Sequence, residues 1–211
     1  EKAQASSAVG CQVSGLKISL HSLKPGTWNL TPALDGEHEP EPRIDCRQEL
    51  ARHLPSPIGQ VTAIDGQDLG DVRHRVPAEA RKWRPAPGEW SAHEVACHCA
   101  DSETNGAARI RYVVCEPEPV VLGYDENVWA IALDYHGHPV DAALATVRAV
   151  RANTAAVLRR LPEEAWTREG RHTASGRYTA LDWLAIYAEH LEIHARQIEA
   201  NLAAWEAAGR P

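Results

Sequence analysis

The chain of 211 residues has no methionine and no phenylalanine. Its core must be assembled from Leu, Val and Ala, with seven tryptophans supplying the bulk. No apolar run approaches the roughly 18 residues needed to cross a bilayer, so no membrane partner is expected. Residues 1–20 also lack the continuous apolar core of a signal peptide. Basic charge is not in excess: 22 Lys and Arg stand against 29 Asp and Glu. The cations are scattered among acids, which argues against a nucleic-acid partner. Cysteine is sparse and odd in number, five in all. The only close pair is Cys97 and Cys99, unlike the dense, even spacing of a secreted disulfide scaffold. A cytoplasmic location is expected. G-x-S-x-G, Walker A and G-x-G-x-x-G patterns are missing as well, which removes serine-hydrolase, P-loop and dinucleotide readings.

What is there reads as one domain with an appendage. Residues 1–43 form an irregular N-terminal extension. Within it CQVSGLKISL predicts one strand, and TPALDGEHEPEPR reads as linker. Residues 44–208 are helical in pattern. A first helix around 46–65 would be kinked or split at Pro55 and Pro57. Ser91, with Glu94 three residues on, makes a capping box that opens a second helix running to about Val114. A short helix is expected at 126–133. Another, at 139–160, carries apolar or small residues at 140, 143, 144, 147, 150, 154, 157 and 158. The last, at 180–207, has the stripe Leu181, Leu184, Ala188, Leu191, Ala195, Ile198, Leu202. No sustained alternation follows residue 43, so the expected architecture is all-α, a four-helix bundle.

Histidine carries the chemistry. His190 and His194 are four residues apart, which stacks two imidazoles on one side of the last helix. Trp183, Tyr187, Gln197 and Asn201 continue that line, about 100° from the leucine stripe, at the margin of the buried face. His98 lies in the Ser91 helix. Three imidazoles from two facing helices leave a fourth position open, the pattern of a reactive metal site. Trp90, Glu94, His98 and Asp101 share one helical face, so Glu94 and Asp101 are candidates to hold the other ring nitrogen of His98. Cys97 and Cys99 point about 100° to either side of His98. Cys99 reads as a small core residue and Cys97 as partly exposed. H-G-H at 136–138 is a weak metal signal.

Two stretches carry a resemblance. W-S-x-x-E-V-x-x-H-x-x-D-x-E, matched from Trp90 through Glu103, and H-x-x-x-H-x-x-Q-I, matched at His190, His194, Gln197 and Ile198, together with YDENVWA, resemble the DinB/YfiT-like superfamily. The resemblance covers about residues 45–207. It departs at PSPIG and at Cys99, where Leu is common. It implies a four-helix bundle holding a divalent metal (zinc, nickel, iron or manganese) on His98, His190 and His194. It also implies a small-molecule substrate and a low-molecular-weight thiol cosubstrate of the bacillithiol or mycothiol type, in an S-transferase or related isomerase. A non-catalytic, stress-associated or sensing bundle is the alternative. The high Ala and Arg content points to a GC-rich bacterial genome. Bundles of this kind often pair, so a homodimer is a further expectation.

Overall fold

The computed structural model describes residues 11–13, 16–18, 69 and 75–210. The chain divides into two units, Glu1–Leu54 and Pro55–Pro211. In the first, β1 (Cys11–Val13) and β2 (Leu16–Ile18) pair antiparallel with Gln12 opposite Lys17. The stretch expected as one strand is therefore two. The helix expected around 46–65 lies outside the described residues.

The second unit contains α1 (Ala92–Cys115), α2 (Glu126–Ala132), α3 (Val140–Leu158) and α4 (Ala180–Ala207). All four start within one or two residues of expectation, for local reasons. Ser91 and Glu94 close the capping box at α1, with the Ser91 amide donating to the Glu94 carboxylate at 2.9 Å. Thr179 and Asp182 close a second box at α4. Asp125 caps α2 through the amides of Asn127 and Val128. Each satisfies helix-start amides that would otherwise be orphaned. Among the described residues no helix is long and apolar enough to cross a membrane.

A three-stranded sheet, β3 (Val120–Val121), β4 (Glu169–His172) and β5 (Gly176–Thr179), was not expected. β3 runs parallel to β4, and β4 antiparallel to β5. Strands of two to four residues are too short for alternation to register in the sequence. The bundle architecture itself is the one expected.

Three bonds fix α4 antiparallel on α1. Trp183 Nε1 donates to the Gly106 carbonyl (2.8 Å), Tyr187 Oη to the Ser102 carbonyl (3.0 Å) and Asn201 Nδ2 to the Trp90 carbonyl (2.8 Å). Along that register His98 falls opposite Leu191, between His190 and His194. α3 lies beside α1 and runs the same way: Cys97 faces Tyr135, and Arg151 faces Glu103.

The buried face of α4 keeps Leu184, Leu191 and Ile198 of the predicted stripe and widens toward the histidine side. Trp183, Tyr187, His194 and Asn201 are buried, whereas Leu181 is exposed. The large aromatics claim the interior because they remove more apolar area from water than Leu181 or Ala188 could. In α3 the stripe shifts, to Ala143, Leu144, Val147, Arg151, Thr154, Ala155 and Leu158. Two apolar clusters result, one around Val95, Val147, Leu191 and Ile198, the other around Ile110, Ala155, Leu184 and Tyr187. Between them runs a polar band: His98, Ser102, Glu103, Arg151, Thr154 and His194 are all buried.

Candidate metal centre

In that band the three histidines converge. One ring nitrogen from each of His98, His190 and His194 lies within 4.8 Å of the others. Ring centroids are 4.8 Å apart for His98 and His194, 4.7 Å for His190 and His194, and 5.6 Å for His98 and His190. Metal–nitrogen bonds of about 2.1 Å put tetrahedral ligand nitrogens roughly 3.4 Å apart, so small side-chain rotations bring the set to coordination. Trp90 packs over His98 with centroids 4.8 Å apart.

The outer nitrogens are held by oxygens. His190 Nδ1 lies 3.1 Å from Glu103 Oε1, and His194 Nδ1 lies 2.9 Å from Gln197 Oε1. An ionised carboxylate can only accept, so His190 places a proton on Nδ1, and in the neutral imidazole this tautomer leaves the lone pair on Nε2. The Gln197 amide oxygen does the same for His194. This is how metal-ligating imidazoles are oriented. His98 Nδ1 is buried with no hydrogen-bond partner, an arrangement that costs about 1–3 kcal/mol unless something binds it. Neutral imidazoles, fixed tautomers and an orphaned buried nitrogen together fit a borderline divalent metal.

Burial favours the neutral form of two of the donors, His98 and His194. Burial, reinforced by His194 and His190, pushes His98 well below the ordinary imidazole value. Burial and then His190 push His194 down to about 4, against the Gln197 hydrogen bond. Burial works to raise Glu103, but its bonds to His190 and Arg151 prevail and hold it low.

These shifts make metal-free stability depend on pH. Between the ordinary value of 6.5 and about 4, His194 binds a proton in the unfolded chain but not in the folded one. Stability is therefore full above pH 6.5 and is lost as pH falls, by about 3 kcal/mol from this residue alone. His98 adds to the loss in the same direction. Chelator-treated protein should show a melting temperature that drops steadily below pH 6.5. A flat profile between about pH 7 and 5 would contradict the buried neutral pair.

Among the described residues the carboxylate hydrogen-bonded to an imidazole of the cluster is Glu103, and Glu94 and Asp101 are engaged elsewhere. Glu94 is spent on the α1 cap, on Arg84 (Nε to Oε2, 2.9 Å) and on His136 at 3.2 Å. These partners hold it down to about 2 against the effect of burial. Asp101 accepts from Tyr135 Oη at 2.6 Å. Cys97 is buried rather than partly exposed, its thiol directed at the Tyr135 carbonyl. Cys99 is buried as expected. The H-G-H histidines serve packing: His136 Nε2 meets Ser91 Oγ at 2.8 Å, and the His138 carbonyl meets His93 Nε2 at 2.8 Å.

Sequence reasoning missed Arg151. Its Nη2 lies 2.9 Å from Glu103 Oε1 and 2.7 Å from the Tyr187 carbonyl. The available signal was its spacing, four residues after Val147 and three before Thr154, on the core stripe itself.

A helical bundle with a buried three-histidine centre defines the class of this protein. The model of the DinB superfamily matches residues 67–198. The chain belongs to the DinB superfamily. A protein of Oceanobacillus iheyensis, provisionally named a metal-dependent hydrolase, is 32% identical over 111 residues, 53% of this chain and 64% of that one. The match thus spans just under two thirds of that relative's length. YfiT of Bacillus subtilis, with the same provisional name, is 23% identical over 169 residues, 77% of this chain and 89% of YfiT. The solved structure of YfiT, described as having an unusual four-helix bundle topology, superposes with a TM-score of 0.62 at 22% identity. It covers 82% of this chain and 95% of its own.

Proposed function

We propose that this protein is a metal-dependent enzyme that prepares a small nucleophile, water or a low-molecular-weight thiol, for attack on a small electrophilic substrate. The observation that carries the reading is the convergence of three ring nitrogens within 4.8 Å in a buried polar band. His98, His190 and His194 would be the ligands. A divalent metal held there would supply Lewis acidity, which lowers the pKa of a bound water or thiol. Glu103 and Gln197 fix the tautomers of His190 and His194, so both imidazoles stay donors. Burial keeps His98 and His194 neutral at physiological pH. Trp90 packs against His98, and His190 is the least buried of the three imidazoles.

The relatives' names favour water as the nucleophile; the thiol alternative rests on the resemblance alone. A cytoplasmic location suits the free thiols of Cys97, Cys99 and Cys115. Pairing of two copies is supported by the exposed Ile186 and Ile193, one heptad apart on α4.

Elemental analysis of purified protein is expected to find roughly one divalent metal per chain, and His194→Ala less than about 0.1. If His194→Ala loses metal yet folds and melts close to the metal-free native chain, the metal is not needed for the fold and the catalytic reading is supported. Collapse of the fold would instead support a structural or sensing metal. The loaded protein is then screened in two arms: ester and amide hydrolysis without thiol, and a generic electrophile with bacillithiol, mycothiol or glutathione. Turnover only with a thiol selects the transferase. No metal in the native protein overturns the proposal.

A further inference from the structure

α3 contributes no imidazole, yet its side chain at position 151 lies one step from a ligand. Arg151 is a buried arginine in the middle of a helix, at 3% exposure. Burying a guanidinium is costly unless its charge is paired and its donors are used. Here the charge is paired at the α1–α4 interface and Nη2 is used twice, while Nε is buried without a hydrogen-bond partner. A single nitrogen, Nη2, bridges Glu103 Oε1 of α1 and the Tyr187 carbonyl of α4. Glu103 Oε1 is the atom facing His190 Nδ1. Tyr187 lies one turn before His190, its ring 5.5 Å from that imidazole. One guanidinium thus ties down both the carboxylate that orients His190 and the turn of helix that carries it.

We infer that Arg151 is a positioning residue of the metal centre, acting through Glu103 and the Tyr187 carbonyl to make His190 present Nε2 as a donor. The inference rests on the three-histidine metal reading, but its physical content, the tautomer and orientation of His190, exists without metal. A purely structural ion pair would not need to share an oxygen with the ligand. A tighter structural solution would be apolar, since a buried pair is often no more stabilising than well-packed hydrophobic residues.

The test is made on the full chain with Arg151→Met and Arg151→Lys. Nitrogen chemical shifts of the histidine rings in metal-free protein report the His190 tautomer directly. Competition with a chromophoric chelator, using zinc and cobalt alone as probes, reports affinity, and the cobalt absorption spectrum reports ligand geometry. The native chain is expected to show His190 protonated on Nδ1. Arg151→Met should lose that signature and bind metal about 10–100-fold more weakly, with an altered cobalt spectrum. Arg151→Lys keeps the buried charge on a shorter reach with one nitrogen and should fall between the two. A folded Arg151→Met with native tautomer and affinity within about twofold overturns the inference. If that variant does not fold, Arg151→Lys decides: intermediate behaviour supports the inference, and native behaviour in both measurements overturns it. If the native chain binds no metal, the tautomer shift alone decides the role of Arg151, while the metal reading fails separately.

Discussion

Replacing His98 by Leu is expected to abolish metal binding and leave the metal-free bundle at least as stable as the native chain. His98 is 1% exposed, and its Nδ1 has no partner. Such a group costs the metal-free fold about 1–3 kcal/mol. Leu is close in volume, and a swap of this kind with local repacking costs less than about 1.5 kcal/mol. The balance therefore runs from neutral to a gain of about 2 kcal/mol, or up to roughly 8 °C in melting temperature for a chain of this size. With metal present the ranking inverts. A ligand at a hundred times its dissociation constant stabilises the native fold by about 2.7 kcal/mol, and the variant gains nothing. Paired melts with chelator and with zinc would show the two proteins exchanging places. A His98→Leu chain that still melts higher on adding metal, or that fails to fold, would remove His98 from the ligand set and the argument with it.

The described helices and the His190–His194 pair were legible because both are written in local spacing, whereas joining His98 to that pair needed a facing helix and the resemblance. A capping box at Ser91 and Glu94 needs only four residues, and an i,i+4 imidazole pair only five. Arg151 and Glu103 were not legible because their meaning is tertiary. Glu103 lies five residues past His98, about 140° around the helix, and so reads as belonging to another face. It reaches His190 only because α4 packs across both directions at once. Arg151 interrupts an apolar stripe, and a charged residue there is read as solvent-facing because arginine is almost never fully buried unless paired. The carboxylates chosen instead, Glu94 and Asp101, do share the His98 face. They were claimed by nearer partners, an arginine before the helix and a tyrosine after α2, that no periodicity announces. The Thr179–Asp182 box was equally local, and α4 begins where expected.

Gly106→Ala should destabilise the protein by about 2–4 kcal/mol, against the usual sign for a helix. In an exposed helix interior this change gains roughly 1 kcal/mol, because glycine loses more backbone freedom on folding. Gly106 is instead the floor under Tyr187. A methyl there would stand 2.5 Å from Tyr187 Cε1 and 2.6 Å from its Oη, well inside contact distance. Tyr187 cannot swing aside freely: it is 3% exposed, stacks on Trp183 with centroids 4.7 Å apart, and donates to the Ser102 carbonyl at 3.0 Å. Overpacking costs about 1–3 kcal/mol, and breaking the buried hydroxyl bond about 1–3 more, so the loss outweighs the propensity gain. Displacement of Tyr187 also moves the carbonyl held by Arg151, so metal affinity should fall along with stability. Urea unfolding of the single variants and of Gly106→Ala/Tyr187→Leu, which makes room for the methyl, closes a double-mutant cycle. The double variant should be more stable than the sum of the singles by about 1 kcal/mol or more. A single Gly106→Ala variant as stable as the native chain would mean that α1 and α4 are not in this close contact, and the antiparallel register that sets His98 between His190 and His194 would have to be redrawn.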